Sequence, residues 1–332
     1  MNTNPWKIKS ISIDGLLGQH NLFWELNPTV NIIGGPNGSG KSTILHALAV
    51  LLQGPPSNDS DTEEVGSHCE ALFKSLSVKL KSGGKLRISR TVDLAKETIE
   101  NADQYDSGNN PEKVTTVISY DRNRIVPENL EDSQYACYNI YINSADVTLR
   151  KINGLAEQSR KTNRPALTTL DLMLEKTLNI RNQLFAQRLS IAMKENDDNE
   201  LRKLLNLFGR FEKSVKNFMT GYTILDTAKL IFAPESNDEQ KISYYHLSTG
   251  EKQLLYLLLT VTNTLEESTI LLLDEADLGM HLDWKKKLLR ELLTINPNMQ
   301  IIAATHSPSL IEGWYDNVRD ISQLIIPGTQ EN

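Results

Sequence analysis

An α/β fold organised around a mainly parallel sheet is predicted by three stretches of this 332-residue chain. The first is Gly35-Pro36-Asn37-Gly38-Ser39-Gly40-Lys41-Ser42, set between an apolar run at 30–33 and a helical run at 43–52. The other two are apolar runs at 269–273 and 301–304, one ending in Asp274 and Glu275 and the other in Thr305, His306, Ser307 and Pro308. Unbroken apolar strands suit a parallel sheet covered on both faces, and such sheets meet their ligands at the carboxyl ends of their strands.

In chain order, residues 8–13 alternate with period two and predict a half-buried strand, and residues 22–26 predict another. The glycine-rich segment that follows the third strand matches G-x-x-x-x-G-K-[ST] in full, in the strand–loop–helix context of a phosphate-binding loop. Its glycines let backbone N–H groups converge on the α- and β-phosphates, Lys41 reaches the β/γ oxygens, and the Ser42 hydroxyl is a Mg²⁺ ligand. Gly54-Pro55-Pro56-Ser57 ends the helix and opens an acidic loop, after which 77–81 and 85–89 form a hairpin about Ser82-Gly83-Gly84. A loop at 101–111 leads to a strand at 114–120. Helical spacing holds from 165 to 219, carried by Leu170, Leu174, Leu178 and Leu184 and then by Leu201, Leu204, Leu205, Phe208, Phe211 and Val215, with 194–199 joining two helices. Residues 222–232 predict a strand and 234–241 a loop.

The carboxylates after the 269–273 run form a Walker B candidate, in which Asp274 holds Mg²⁺ and Glu275 acts as general base on the attacking water. Leu247-Ser248-Thr249-Gly250-Glu251-Lys252-Gln253 opens a leucine-rich helix, and an N-capped helix terminus of this kind suits a γ-phosphate. At this point the sequence resembles the ABC ATPase superfamily, whose signature is L-S-G-G-Q and whose motif order is Walker A, signature, Walker B, switch histidine. Thr249 in place of the first glycine and the Glu251-Lys252-Gln253 ending resemble the RecF/SMC branch. Thr305-His306-Ser307-Pro308 is similar to the switch motif of OLD-type and RecF-like ATPases, whose histidine senses the γ-phosphate. Residues 275–282 resemble E-P-E-x-x-L-H-P, with Glu275 and His281 in register and Ala276, Asp277, Met280 and Leu282 departing from it.

The resemblance implies an ABC-type ATPase head: a mainly parallel sheet, an N-terminal antiparallel β layer and a short helical insertion. One ABC-type domain over 1–332 comprises an N-terminal lobe at 1–143 with Walker A, a helical insertion at 144–220, and a C-terminal lobe at 221–332 with signature, Walker B, D-loop and switch histidine. It implies ATP and Mg²⁺ as cofactors. Gly35, Pro36, Asn37, Gly38, Ser39, Gly40, Lys41, Ser42 and Thr43 would hold nucleotide together with Ser248 and Gly250 of an opposing copy. Ser42 and Asp274 would hold the metal, and Lys41, Glu275 and His306 would act in catalysis. No Q-loop is evident: Gln53 sits too close to the first helix, and 119–124 is the better region, with Arg122 or Arg124 facing phosphate or pairing with acidic surface.

Composition narrows the biology less. With 39% hydrophobic and 23% charged residues the chain reads as an ordinary globular protein. No membrane span or signal peptide is evident, which places it in the cytoplasm. Cys69 and Cys137 are far apart and read as structural thiols rather than as a disulfide or a zinc site. A net charge of −7 opposes the footprint of a dedicated nucleic-acid binder. The acidity concentrates at 58–64, whereas 150–164 is basic and reads first as a solvated face. The expectation is an ATPase that dimerises head to tail, or forms a higher oligomer, around ATP and senses or regulates for a separate effector, such as a nuclease, in a prokaryotic anti-phage defence module. A DNA-repair or maintenance ATPase that binds nucleic acid directly is the alternative, and a transporter subunit is disfavoured.

Overall fold

The computed structural model describes residues 7–18, 20–53, 75–81, 85–89, 117–118, 137–143 and 168–326. The acidic loop, Cys69, the 101–111 loop, the 119–124 region with its two arginines, and the basic segment at 150–164 lie outside the described residues. The elements in chain order are β1 (Ile8–Leu16), β2 (His20–Glu25), β3 (Val30–Gly34), α1 (Lys41–Gln53), β4 (Ser75–Leu80), β5 (Lys85–Ser89), β6 (Val117–Ile118) and β7 (Cys137–Asn143). Then come α2 (Thr169–Glu195), α3 (Asp198–Phe218), β8 (Tyr222–Asp226), β9 (Ile231–Pro234), β10 (Ile242–Ser243) and α4 (Thr249–Thr262). The last group is β11 (Ser268–Asp274), α5 (Leu282–Ile295), β12 (Met299–Ala304), α6 (Pro308–Ile311), β13 (Val318–Asp320), α7 (Ile321–Leu324) and β14 (Ile325–Ile326).

The chain divides into two compact units, one of Met1–Asn143, Glu267–Ala276 and Asn298–Asn332, the other of Ser144–Glu266 and Asp277–Pro297. The stretch at 221–332 is thus shared between them. The reason is strand pairing: β11 and β12 insert beside β7 and β3.

The first unit holds two sheets. One has the order β13-β3-β12-β11-β7-β6 with every pairing parallel. The other, β14-β2-β1-β4-β5, is antiparallel. β12 is buried at every position and β11 at all but its first, which is why their sequences show no alternation. Helix α1 lies against strands of both sheets and places Ile44, Leu45, Leu48 and Leu52 in a core shared with Ile11 and Trp24 of the antiparallel layer and Leu272 and Ile302 of the parallel one. Each such side chain contributes about 1.5 to 3 kcal/mol on leaving water. One buried polar residue ties the layers: Gln300 in β12 donates from Nε2 to the Ile8 and Asn27 carbonyls (2.9 and 2.7 Å) and accepts from the Ile8 N–H at 2.7 Å.

The second unit carries the helical insertion. Thr168 and Asp171 form a capping box at the start of α2, which ends at Asn196 in the left-handed region (φ 54°), and Asp197 caps α3. Where the sequence predicts one strand over 222–232, two antiparallel strands stand instead. The chain reverses between Asp226 and Ile231, the Asp226 carboxylate accepting from the Lys229 N–H at 3.0 Å, and Pro234 closes β9 rather than opening a loop. On the exposed face of α3, Gly209 interrupts the helix interior at a cost of about 1 kcal/mol relative to alanine, and no neighbour would crowd a side chain there.

Arg181 of α2 holds this unit together. It is 1% exposed, its guanidinium lies 5.5 Å from the Phe208 ring and 5.4 Å from the Phe211 ring of α3, and it donates to the Thr227 carbonyl and to Asn182 Oδ1. Burial lowers its pKa to about 10, against the opposing pull of Asp226 and Glu212. Arg181→Ala is expected to destabilise the helical unit by about 2 to 4 kcal/mol, through the cavity between two rings and the lost cation–π contacts. A urea midpoint equal to that of the wild type would show that this packing is dispensable.

Candidate functional site

Register brings the predicted site residues of the first unit to one sheet edge. Asp274 pairs with Ala304, Ala304 with Ile33, and Gly34 with Asp320, so β11, β12, β3 and β13 all end together. The phosphate loop leaves this edge after β3 and runs into α1. Gly35 has φ 144°, and a Cβ there would stand 2.7 Å from Ile321 Cγ2, so both its backbone and its surroundings demand glycine. Lys41 is 5% exposed, and its ammonium donates to the Gly35 and Pro36 carbonyls at 3.0 and 2.8 Å. Burial lowers its pKa, and the carboxylates of Glu275, Asp274 and Asp320 oppose that shift.

The Ser42 hydroxyl donates to Asp274 Oδ1 at 3.0 Å, which puts two hard oxygen donors side by side. Among the described residues no cluster of three or more His, Cys, Asp or Glu could hold a metal on its own. The pair could therefore hold Mg²⁺ only if phosphate oxygens and water supplied the remaining ligands.

Glu275 stands at φ 50°, a conformation rare for a residue with a side chain and held here by its N–H donating to the Ala304 carbonyl at 2.9 Å. Its Oε1 lies 3.3 Å from His306 Nε2. The Thr305 hydroxyl, just before the histidine, accepts from the Ser307 N–H at 2.9 Å and shapes that turn.

Asp320 is the residue that sequence reading passed over. Hydrogen bonds from Ser322 hold its pKa below the usual carboxylate range, with Lys41 contributing further. No motif marks it. Its only signal is the Asp-x-Ser spacing of a cap on α7.

The signature and residues 277–282 of the D-loop belong to the second unit. Ser248 caps α4: its Oγ accepts from the Glu251 N–H at 3.4 Å, and Glu251 Oε2 accepts from the Ser248 N–H at 2.7 Å. The serine keeps its own O–H for a further acceptor. The Tyr222 hydroxyl also bonds Glu251, and its pKa is raised by burial and by that carboxylate. A Cβ on Gly250 would fall 2.9 Å from the Gly279 carbonyl, so this glycine is needed for the signature turn to pack against the D-loop. Lys252 pairs with buried Asp171 at 2.7 Å, and Lys285 with buried Asp277 at 3.1 Å. His281, aligned by its spacing from Glu275, caps α5, its Nδ1 accepting from the Asp283 N–H at 3.3 Å. Leu278 and Leu282 on either side are 53% and 61% exposed. Among the described residues no helix is long and apolar enough to cross a membrane.

Residues 110–312 match the family described as AAA domain, putative AbiEii toxin, type IV TA system. The chain is 25% identical to the Septu protein PtuA of Bacillus thuringiensis, over 98% of its own length and 76% of that protein's. It is 24% identical to the Retron Vc95 probable ATPase of Vibrio cholerae serotype O1 biovar El Tor, over 49% of its own length and 34% of that protein's. For the Retron Ec83 probable ATPase of Escherichia coli the identity is 30%, over 30% and 20% of the two chains. Among solved structures, the SMC head bound to the C-winged helix domain of ScpA superposes with a TM-score of 0.50 at 13% identity, over 92% of this chain and 91% of that one. That likeness shows a shared fold, a P-loop ATPase head with parallel and antiparallel sheets.

Proposed function

This chain belongs to the AAA domain family described as putative AbiEii toxin, type IV TA system, and from that membership we propose a Mg²⁺-dependent ATPase that closes head to tail around ATP and regulates a separate effector, a nuclease or toxin, in a prokaryotic anti-phage defence module. The observation that carries this reading is the meeting at one sheet edge of Lys41 in its loop, the Ser42–Asp274 pair at 3.0 Å and the Glu275–His306 pair at 3.3 Å. Likeness to a Septu protein and to two retron ATPases supports the defence assignment.

Lys41 exchanges its two loop carbonyls for β/γ-phosphate oxygens, which repay the desolvation of a buried ammonium better than neutral acceptors do. Ser42 and Asp274 hold Mg²⁺, which when bound neutralises phosphate charge. The Glu275 carboxylate takes the proton of the attacking water, and His306 positions that carboxylate and contacts the γ-phosphate. Ser248 and Gly250 reach the nucleotide from a second copy, the serine through its remaining O–H. The exposed leucines flanking the D-loop support a face that becomes covered in such a dimer.

Asp274→Asn and Ser42→Ala each remove one hard donor, and each is expected to raise the Mg²⁺ concentration required for phosphate release by about tenfold or more. Phosphate release titrated with MgCl₂ checks this, and an unchanged midpoint in Asp274→Asn would remove it from the metal site. The defence role is tested by mass spectrometry of what Glu275→Gln retains in its native host. A stable protein effector supports the reading, and DNA alone points to DNA maintenance.

A further inference from the structure

Along the solvent side of α3 runs an open groove of about 760 Å³ that no nucleotide motif touches. Arg202, Lys203, Arg210 and Lys213 line it against a single carboxylate, Glu266, which is already paired with Arg210. The other three cations form no ion pair among the described residues. At 1.5 Å rise per residue, Arg202 and Lys213 stand roughly 16 Å apart along one helix. In a chain of net charge −7, this concentration of one sign is local and oriented.

We propose that this groove binds the phosphate backbone of a nucleic acid. Charge complementarity selects that occupant. Protein–protein interface cores are depleted in lysine and built on aromatic or aliphatic anchors, whereas this groove offers one apolar side chain, Leu205, against four cations. A row of cations spanning several phosphate spacings is what neutralisation of a backbone requires. Asn199 and Asn206 add amide donors of the kind that bond phosphate oxygens. Gly209 supplies a second, independent observation. It weakens α3 at an exposed position where nothing crowds a side chain, so packing does not account for it. A glycine there leaves the floor of the groove low enough for a backbone to approach the helix.

The inference stands apart from ATP hydrolysis, and its test uses the full chain without nucleotide. Fluorescence anisotropy with labelled 20-nucleotide single-stranded DNA, the matching duplex and the matching RNA measures affinity between 50 and 200 mM salt. The wild type is expected to bind at least one of the three with a strong salt dependence. The triple variant Arg202→Glu, Lys203→Glu, Lys213→Glu is expected to bind about tenfold more weakly or worse, with a salt slope reduced by about three, one for each lost phosphate contact. Gly209→Leu, which leaves the charge unchanged but fills the groove, is expected to weaken binding as well. Cooperative circular dichroism melts near the wild-type midpoint for the triple variant, and at or above it for Gly209→Leu, show that both are folded. No binding of any probe by the wild type, or an affinity unchanged in the folded triple variant, overturns the proposal.

Discussion

Glu275→Gln is expected to bind ATP, to release phosphate about 10²-fold or more slowly, and to run as a dimer only with ATP and Mg²⁺ present. Glutamine keeps the volume of the side chain and its approach to His306 at the end of β12, but it cannot accept a proton from water. The Ser42–Asp274 pair and Lys41 are untouched, so binding persists while the chemical step fails. In the proposed composite site, unhydrolysed nucleotide would bridge two heads and shift the population to the closed form, because only that form would supply Ser248 from a second copy. Ser248→Arg is the converse. Ser248 lies exposed at the helix tip, so arginine finds room in the monomer; it gives up the N-cap of α4, at about 1 kcal/mol, and obstructs closure. Light scattering with and without ATP reads both. A Glu275→Gln protein whose mass ignores ATP, or a Ser248→Arg protein with normal turnover, would rule out the two-chain site.

Lys41→Ala is expected to abolish turnover and to weaken ATP binding strongly, an effect of about 10² to 10³-fold in rate from one preorganised charge. The surroundings enlarge it. Asp274, Glu275 and Asp320 all act on the lysine's charge, so its removal leaves a cluster of carboxylates facing an incoming polyanion. The fold should survive, since the partners lost are two neutral carbonyls in a loop. Calorimetric ATP affinity and phosphate release equal to those of the wild type would exclude Lys41 from the site.

Much of the candidate site's geometry was legible because each motif is contiguous: a glycine-rich loop, a pair of carboxylates and a histidine turn, each following an apolar run whose strand character is unambiguous. What was hidden depends on distant partners or on backbone geometry. β13 and β14 are three and two residues long, too short for any periodicity, yet one completes the parallel sheet beside β3 and the other the antiparallel sheet beside β2. The β8–β9 reversal contains neither glycine nor proline and turns through Leu230 at φ 49°, with Asp226 as the one turn residue. Gly250 fits a signature pattern in sequence, but its close approach to the Gly279 carbonyl appears only in three dimensions. Arg181 stands in a polar stretch of α2 that suggests solvent, and burial between two phenylalanines needs the α3 partner to be seen.

The position of β3 has a consequence for how the protein is made. Its two sheet neighbours, β12 and β13, begin at Met299 and Val318, whereas β3 itself begins at Val30. At translation rates of about 5 to 20 residues per second, the strand bearing the phosphate loop waits roughly 13 to 54 s after emerging before either neighbour exists. During that interval both its edges are open and its apolar side chains lack a sheet, the condition in which strands pair with the wrong partner. A nascent chain thus carries its nucleotide loop early without the frame that aligns it, and ribosome-bound intermediates should depend on holding factors until β12 is synthesised. Competence to bind ATP then arrives late and in one step, as β12 and β13 close around β3.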